Sequence, residues 1–280
     1  MSTLIQIWWT SLVLVSVINV GLWLATALRL RRERATVSQR TFRSRATQVG
    51  LSAVYVLVCG FRSALPRADV QRICLVDSWL SSVALGRTLA TVAELCFAVQ
   101  WALLVRELGR AARSRAAAAI SCLLVPLIAF AELASWYAVI TTNFLGNVVE
   151  QSTWTLCGLL ILASCAIMWR RSGAAARRVM AVCSGIIGCF VLFMTTVDVP
   201  GYYARWRADQ AGGKDYLGWS EGPVDAAGRW IVTGSLEAWE GELAWMALYF
   251  SVGVWTSIWM GRVRPARGFG GDEQISRAGS

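Results

Sequence analysis

Seven apolar stretches run along this chain, and the connections between them alternate between arginine-rich and arginine-poor. A run of about 20 apolar residues is long enough to cross a hydrocarbon core, and loops that stay in the cytoplasm keep an excess of Lys and Arg. The pattern predicts an all-α fold, a polytopic membrane helix bundle with seven transmembrane helices over about 5–29, 48–63, 79–105, 116–140, 152–169, 178–199 and 240–261. Arg29, Arg31, Arg32, Arg34, Arg40, Arg43 and Arg45 follow the first span. Arg106, Arg110, Arg113 and Arg115 follow the third, and Arg170, Arg171, Arg177 and Arg178 the fifth. The tail holds Arg262, Arg264, Arg267 and Arg277. These connections all lie on one side, so the expected N-terminus is outside and the C-terminus cytoplasmic. No basic residue precedes the first span, which favours an uncleaved anchor over a signal peptide. The expected organisation is a seven-helix transmembrane domain at 1–262 and a cytoplasmic tail at 263–280 without fixed structure.

Composition agrees with this class. With 56% hydrophobic and 16% charged residues, a water-soluble fold of this length would need too large a core for its surface. The net charge of +10 sits beside apolar spans, where the lipid bilayer and its anionic headgroups on the cytoplasmic side are the expected partners. Nucleic acid is not expected, because the aromatic residues accompany membrane ends and not basic grooves. Lys214 is the only lysine, which fits a GC-rich bacterial source and hence a plasma (inner) membrane location. Trp8, Trp9, Trp169, Trp239 and Trp259 stand near span ends and suit interfacial anchoring.

The third span carries Arg87, Thr91 and Glu94, whose spacing of four and then three residues puts them on one helical face. A charge near mid-bilayer costs roughly 2.5–3.5 kcal/mol on insertion scales, so such a face turns inward and finds partners. Glu132 lies in the antiparallel fourth span. At about 1.5 Å per residue, Arg87 and Glu132 fall roughly 8 and 6 Å outward of their span midpoints, which predicts an Arg87–Glu132 ion pair with Glu94 also in reach. Asn19, Tyr55, Arg62, Asp77, Asn143, Asn147, Glu150 and Asp198 add polarity, mainly toward the outer half, and suggest an outward-facing polar cavity. One arginine cannot neutralise both Glu94 and Glu132, which favours a ligand or ion site over a paired structural network.

Other features are read as packing. Ser82, Gly86, Ala90 and Ala93 in the third span, and Ser184, Gly185, Gly188 and Cys189 in the sixth, suit close helix contacts. Pro126 is placed to bend the fourth span and Pro200 to end the sixth. Residues 200–239 form an external loop too aromatic for disorder, with a short helix expected at Val224–Val232 and a packed lid or an interfacial segment as the two readings. Cys59 and Cys74 lie near the oxidising side and are the one candidate disulfide.

The absence of histidine removes His-ligated haem, His-rich diiron centres, zinc hydrolases with histidine ligands and Ser–His intramembrane proteases. The layout resembles microbial rhodopsins and G-protein-coupled receptors in topology alone, and the last span lacks the lysine that a retinal Schiff base needs. The paired aspartates of presenilin-like proteases and a phosphate-binding glycine loop are also missing. No cofactor and no metal are expected. The reading is a membrane protein that binds a small ligand or ion around Arg87, Glu94 and Glu132 as a sensor or carrier, with a signalling partner unidentified. The alternatives are a membrane-embedded enzyme using carboxylate acid/base chemistry on a lipid-like substrate, and a purely structural subunit.

Overall fold

A computed structural model describes residues 1–263; the remaining positions of the expected tail at 263–280 lie outside the described residues. Six helical segments among the described residues are long and apolar enough to cross a membrane: Thr3–Ala35, Val83–Ala111, Arg115–Thr141, Leu145–Trp169, Ala174–Ala211 and Leu236–Met260. Their helices are α1 (Thr3–Arg32), α3 (Val83–Ala111), α4 (Arg115–Thr141), α5 (Leu145–Trp169), α6 (Ala174–Phe193) continuing into α7 (Val199–Ala211), and α9 (Leu236–Leu248) continuing into α10 (Val254–Met260). Helix α2 (Gln39–Ala64) is 26 residues long. Its apolar stretch is shortened by Arg40, Arg43 and Arg45 at one end and Arg62 at the other. Apolar side chains stay exposed along the bundle, among them Leu14, Val17 and Ile18 on α1 and Leu123, Phe130 and Leu133 on α4. A surface of this kind is costly in water and matches hydrocarbon.

Consecutive helices from α1 to α6 pack side by side, and α10 returns against α1 and α2. Buried amides join three of them. Gln100 donates to the Gln48 carbonyl at 2.9 Å, Gln48 donates to the Gln100 carbonyl at 3.1 Å, and the Ser257 hydroxyl donates to Gln100 Oε1 at 2.6 Å. Within an apolar bundle these bonds satisfy backbone and side chain together and fix the register of α2, α3 and α10.

Among the described residues, two helices contain π-helical stretches, Met194–Asp198 between α6 and α7 and Tyr249–Gly253 between α9 and α10. Pro200 therefore does not end the sixth span. It sits in the first turn of α7, and the wider π turn before it absorbs the clash and missing donor of a proline inside a helix. The Thr195 and Thr196 hydroxyls donate to the Val191 and Leu192 carbonyls at 2.8 and 2.7 Å. In the second stretch Asn19 donates to the Phe250 carbonyl at 2.8 Å and accepts from Trp255 Nε1 at 2.8 Å. Helix α4 runs unbroken through Pro126.

One end of the bundle is roofed. Between α2 and α3, strands β1 (Arg67–Ala68) and β2 (Ile73–Cys74) pair antiparallel, and β2 pairs parallel with β3 (Ile231–Val232). The expected helix at Val224–Val232 is instead α8 (Gly222–Gly228) followed by β3, because Ile231 and Val232 extend to add to the edge of β2. Arg72, at φ 59°, holds the roof to the bundle. Its guanidinium donates to Asp225 at 2.6 Å, to the Asp69 carbonyl at 2.6 Å and to the Val139 carbonyl at 2.7 Å. Asp77, expected in the polar cavity, accepts from Trp230 Nε1 at 3.0 Å within this roof.

Three further expectations are corrected here. Trp239 is fully buried and is no interfacial anchor: it packs on Trp8 at 5.7 Å and donates to the Thr233 carbonyl at 2.8 Å. The Cys59–Cys74 bridge is not formed: both are buried free thiols. Burial pushes the Cys74 thiol up. Gly86 is not a helix-contact residue: an added Cβ would lie 1.6 Å from the Arg67 guanidinium, so its role is to let that arginine cross α3.

Asn19 gives a test of the π turn. Asn19→Leu leaves the Phe250 carbonyl and the Trp255 indole without partners in the bundle and is expected to lower stability by about 1–3 kcal/mol. Thermal unfolding in detergent measures it, and an unchanged midpoint would count against the role assigned to Asn19.

Candidate functional site

Arg87 stands one turn into α3, just below the roof, and is 5% exposed. Its guanidinium meets three carboxylates: Glu132 Oε2 of α4 at 2.5 Å, Glu94 Oε2 of α3 at 3.2 Å and Glu150 Oε1 of α5 at 3.4 Å. All three glutamates are buried. The pairing follows from helix geometry: residues 87 and 94 are two turns apart on one face, and α4 runs antiparallel with Glu132 at the same level. Thr91, between the two charges of α3, donates to Glu132 Oε2 at 2.6 Å and accepts from Trp136 Nε1 at 3.1 Å.

A second ring of groups supports the first. The Tyr249 hydroxyl, from the π turn of the last helix, donates to Glu94 Oε1 at 3.0 Å. Arg62 of α2 lies 4.0 Å from the same oxygen, with its charge over the rings of Trp245, Tyr249 and Phe250 at 5.8–5.9 Å. Asn147 donates to Glu150 Oε2 at 3.1 Å. Among the described residues, Glu132 Oε1, Ser135 Oγ and Asn147 Oδ1 have no hydrogen-bond partner here, and neither do the donors Arg67 Nε, Arg67 Nη2 and Arg87 Nε.

Next to the cluster is a cavity of about 330 Å³. Arg62, Arg67, Arg87, Glu94, Glu150 and Asp198 line its roofed end, while Glu132 sits behind Arg87 and off the wall. Toward mid-bundle the lining becomes apolar, with Phe97, Trp101, Leu124, Ile128, Ile187 and Phe190. Glu242 closes the roofed end. It accepts from Gln71 at 2.8 Å and from Arg205 at 2.7 Å, so one carboxylate ties the β1–β2 turn, α7 and α9 together.

Of the residues picked from sequence, Arg87, Thr91, Glu94 and Glu132 meet in one network, Arg62 joins its edge and Asp198 lines the same cavity. Asn19 and Asp77 lie elsewhere, in the π turn and in the roof. Glu150 was weighed only as peripheral polarity, because the fifth helix begins at Leu145 and not near 152, which brings Glu150 inside the bundle. Glu242 and Arg205 carry no motif; their signal was only a buried acid at a span end and a basic residue opposite it.

Glu94, Glu132 and Glu150 each offer an oxygen within 4.8 Å of the others, a grouping that can hold a metal ion. Arg87 already reaches all three, and a guanidinium supplies the positive charge that an ion would bring. Chemically the site is a charged network with a carboxylate excess beside an apolar chamber. The class defined by fold and site is a multi-pass helical membrane protein with a buried arginine–carboxylate cluster. No family model, no curated protein and no solved structure matches the chain.

The network makes a stability prediction. Arg87→Leu strands three buried carboxylates and is expected to cost about 3–5 kcal/mol, whereas Glu132→Gln keeps an acceptor for Thr91 and Arg87 and costs less. Thermal unfolding of both variants in detergent checks the order; equal midpoints for wild type and Arg87→Leu would contradict it.

Proposed function

We propose that this chain is a seven-span membrane protein with its N-terminus outside and its C-terminus cytoplasmic, and that its cavity binds a small ligand as a sensor or carrier. The observation that carries the binding reading is the cavity itself. Its volume falls in the range of small-molecule sites, and its polar end carries carboxylates and arginines drawn from separate helices. A network that served only to pair helices would have no reason to border a chamber. Arginines clustered between α1 and α2, α3 and α4, and α5 and α6 support the orientation, with anionic headgroups of a bacterial inner membrane as their partners. Helix α2 supplies the seventh crossing through its central apolar run, despite its terminal arginines.

Topology and binding are tested separately. Ser220→Cys in the roof is expected to react with a membrane-impermeant maleimide on intact cells, and Ser172→Cys between α5 and α6 only after permeabilisation; the reverse pattern would invert the orientation. A high-resolution map of protein prepared without delipidation is expected to hold density beside Glu94. That density should be lost in Glu94→Gln and kept in Glu132→Gln, because Glu94 lines the cavity and Glu132 does not. A dry, empty cavity in the wild-type map would overturn the ligand reading.

A further inference from the structure

We propose that the ligand is a single-chain amphiphile with a cationic amine head group, admitted sideways from the membrane between α6 and α9–α10. This rests on the reading of the cavity as a ligand site.

The first argument is the gradient along the chamber. Its charged residues gather at the roofed end, while Phe97, Trp101, Leu124, Ile128 and Phe190 line the end toward mid-bundle. A compact polar ligand would leave that apolar length unfilled, and a hydrocarbon would leave the charged end unmatched. A molecule with a charged head and one chain satisfies both, since buried apolar area and a paired charge each contribute.

The second argument is charge. Five acids line the chamber, Asp69, Glu94, Glu150, Asp198 and Glu242, against four arginines, Arg62, Arg67 and Arg87 on its wall and Arg205 bonded to Glu242 beside it. Four of the acids have a basic partner: Asp69 with Arg67 at 3.7 Å, Glu94 and Glu150 with Arg87, and Glu242 with Arg205. Asp198 is half-buried and makes no hydrogen bond or ion pair among the described residues. Its carboxylate, in the π turn of the sixth span, faces the chamber; Arg205 acts on it only through space while bonded to Glu242, and an ammonium head group supplies a bonded counter-ion.

The third argument is the route. Above, the Glu242 bonds to Gln71 and Arg205 hold the roof shut. At the side, α6 packs along α5 and makes no comparable packing with α9 or α10. Cys189 of α6 and Leu248 and Val252 of the last span line the chamber and are also exposed, so the chamber reaches the lipid-facing surface between these two helices. Both flanking helices carry a π turn, a local departure from the helical ladder that often marks functional sites.

The test uses the full chain in phosphatidylcholine nanodiscs at neutral pH. The probe is 11-bromoundecylamine, whose bromine quenches tryptophan fluorescence; Trp101 and Trp154 line the chamber. A saturable quenching component is expected over the background of bilayer partition, competed by dodecylamine but not by dodecyl sulfate, dodecanol or ethylamine. Asp198→Asn is expected to weaken it about tenfold, and Ile187→Trp, which fills the chamber, to abolish it. Stronger competition by dodecyl sulfate, or competition by ethylamine equal to dodecylamine, would overturn the amphiphilic amine while leaving a ligand site. An amine signal unaltered in both variants would likewise overturn it. No saturable component with any probe, together with an empty chamber in the map, would overturn the site and the proposal alike.

Discussion

The contact on which the rest of the structure depends is the guanidinium of Arg87 lodged between three buried carboxylates. In a bundle surrounded by hydrocarbon, a charge that fails to find a partner is expelled or neutralised, and water is not at hand to compensate. Arg87 has a carboxylate from each of α3, α4 and α5 within 3.4 Å. Each of these helices is thereby held at a defined depth and rotation, because a slip of one residue would turn a glutamate toward lipid. Glu94 extends the constraint to the last span through Tyr249, and Arg62 extends it to α2. One arginine thus sets the relative positions of five of the long helices.

The roof follows from the same logic at the bundle's end. Arg72 and Glu242 are buried charges whose partners come from segments far apart in sequence: Asp225 and the Val139 carbonyl for the first, Gln71 and Arg205 for the second. Each closes a loop that would otherwise swing freely over the chamber. Arg67 adds a third, crossing α3 where Gly86 leaves room. The packed roof and the sparse packing between α6 and the last span together leave the bundle closed at one end and open along one side.

Much of this was legible from spacing alone. The face shared by Arg87, Thr91 and Glu94 follows from 3.6 residues per turn, and the level of Glu132 follows from an antiparallel neighbour and a fixed rise. The errors cluster where hydropathy is a poor guide. Polar residues at helix ends lower the local hydropathy, so the fifth span was begun too late and Glu150 was left outside it. Pro200 looks like a terminator because a proline breaks a regular helix; a π turn is a tertiary accommodation that local sequence does not announce. Trp239 has the position of an interfacial anchor and the burial of a core residue. Cys59 and Cys74 both lie at the roofed end of the bundle, yet each is a buried free thiol.

By itself the sequence determined the class: apolar run lengths and arginine placement predict a helical membrane bundle and a direction, because hydrocarbon thickness and charge translocation act on local sequence. It also determined that Arg87 must turn inward, since a mid-bundle charge has no other low-energy option. What only the tertiary structure decided is which groups answer that charge and what space remains beside them. Glu150, Tyr249 and Arg62 reach the cluster from three other helices. The chamber exists because α6 leans on α5 and leaves the last span apart. Those outcomes depend on distances between segments as much as 155 residues apart, which no local pattern encodes.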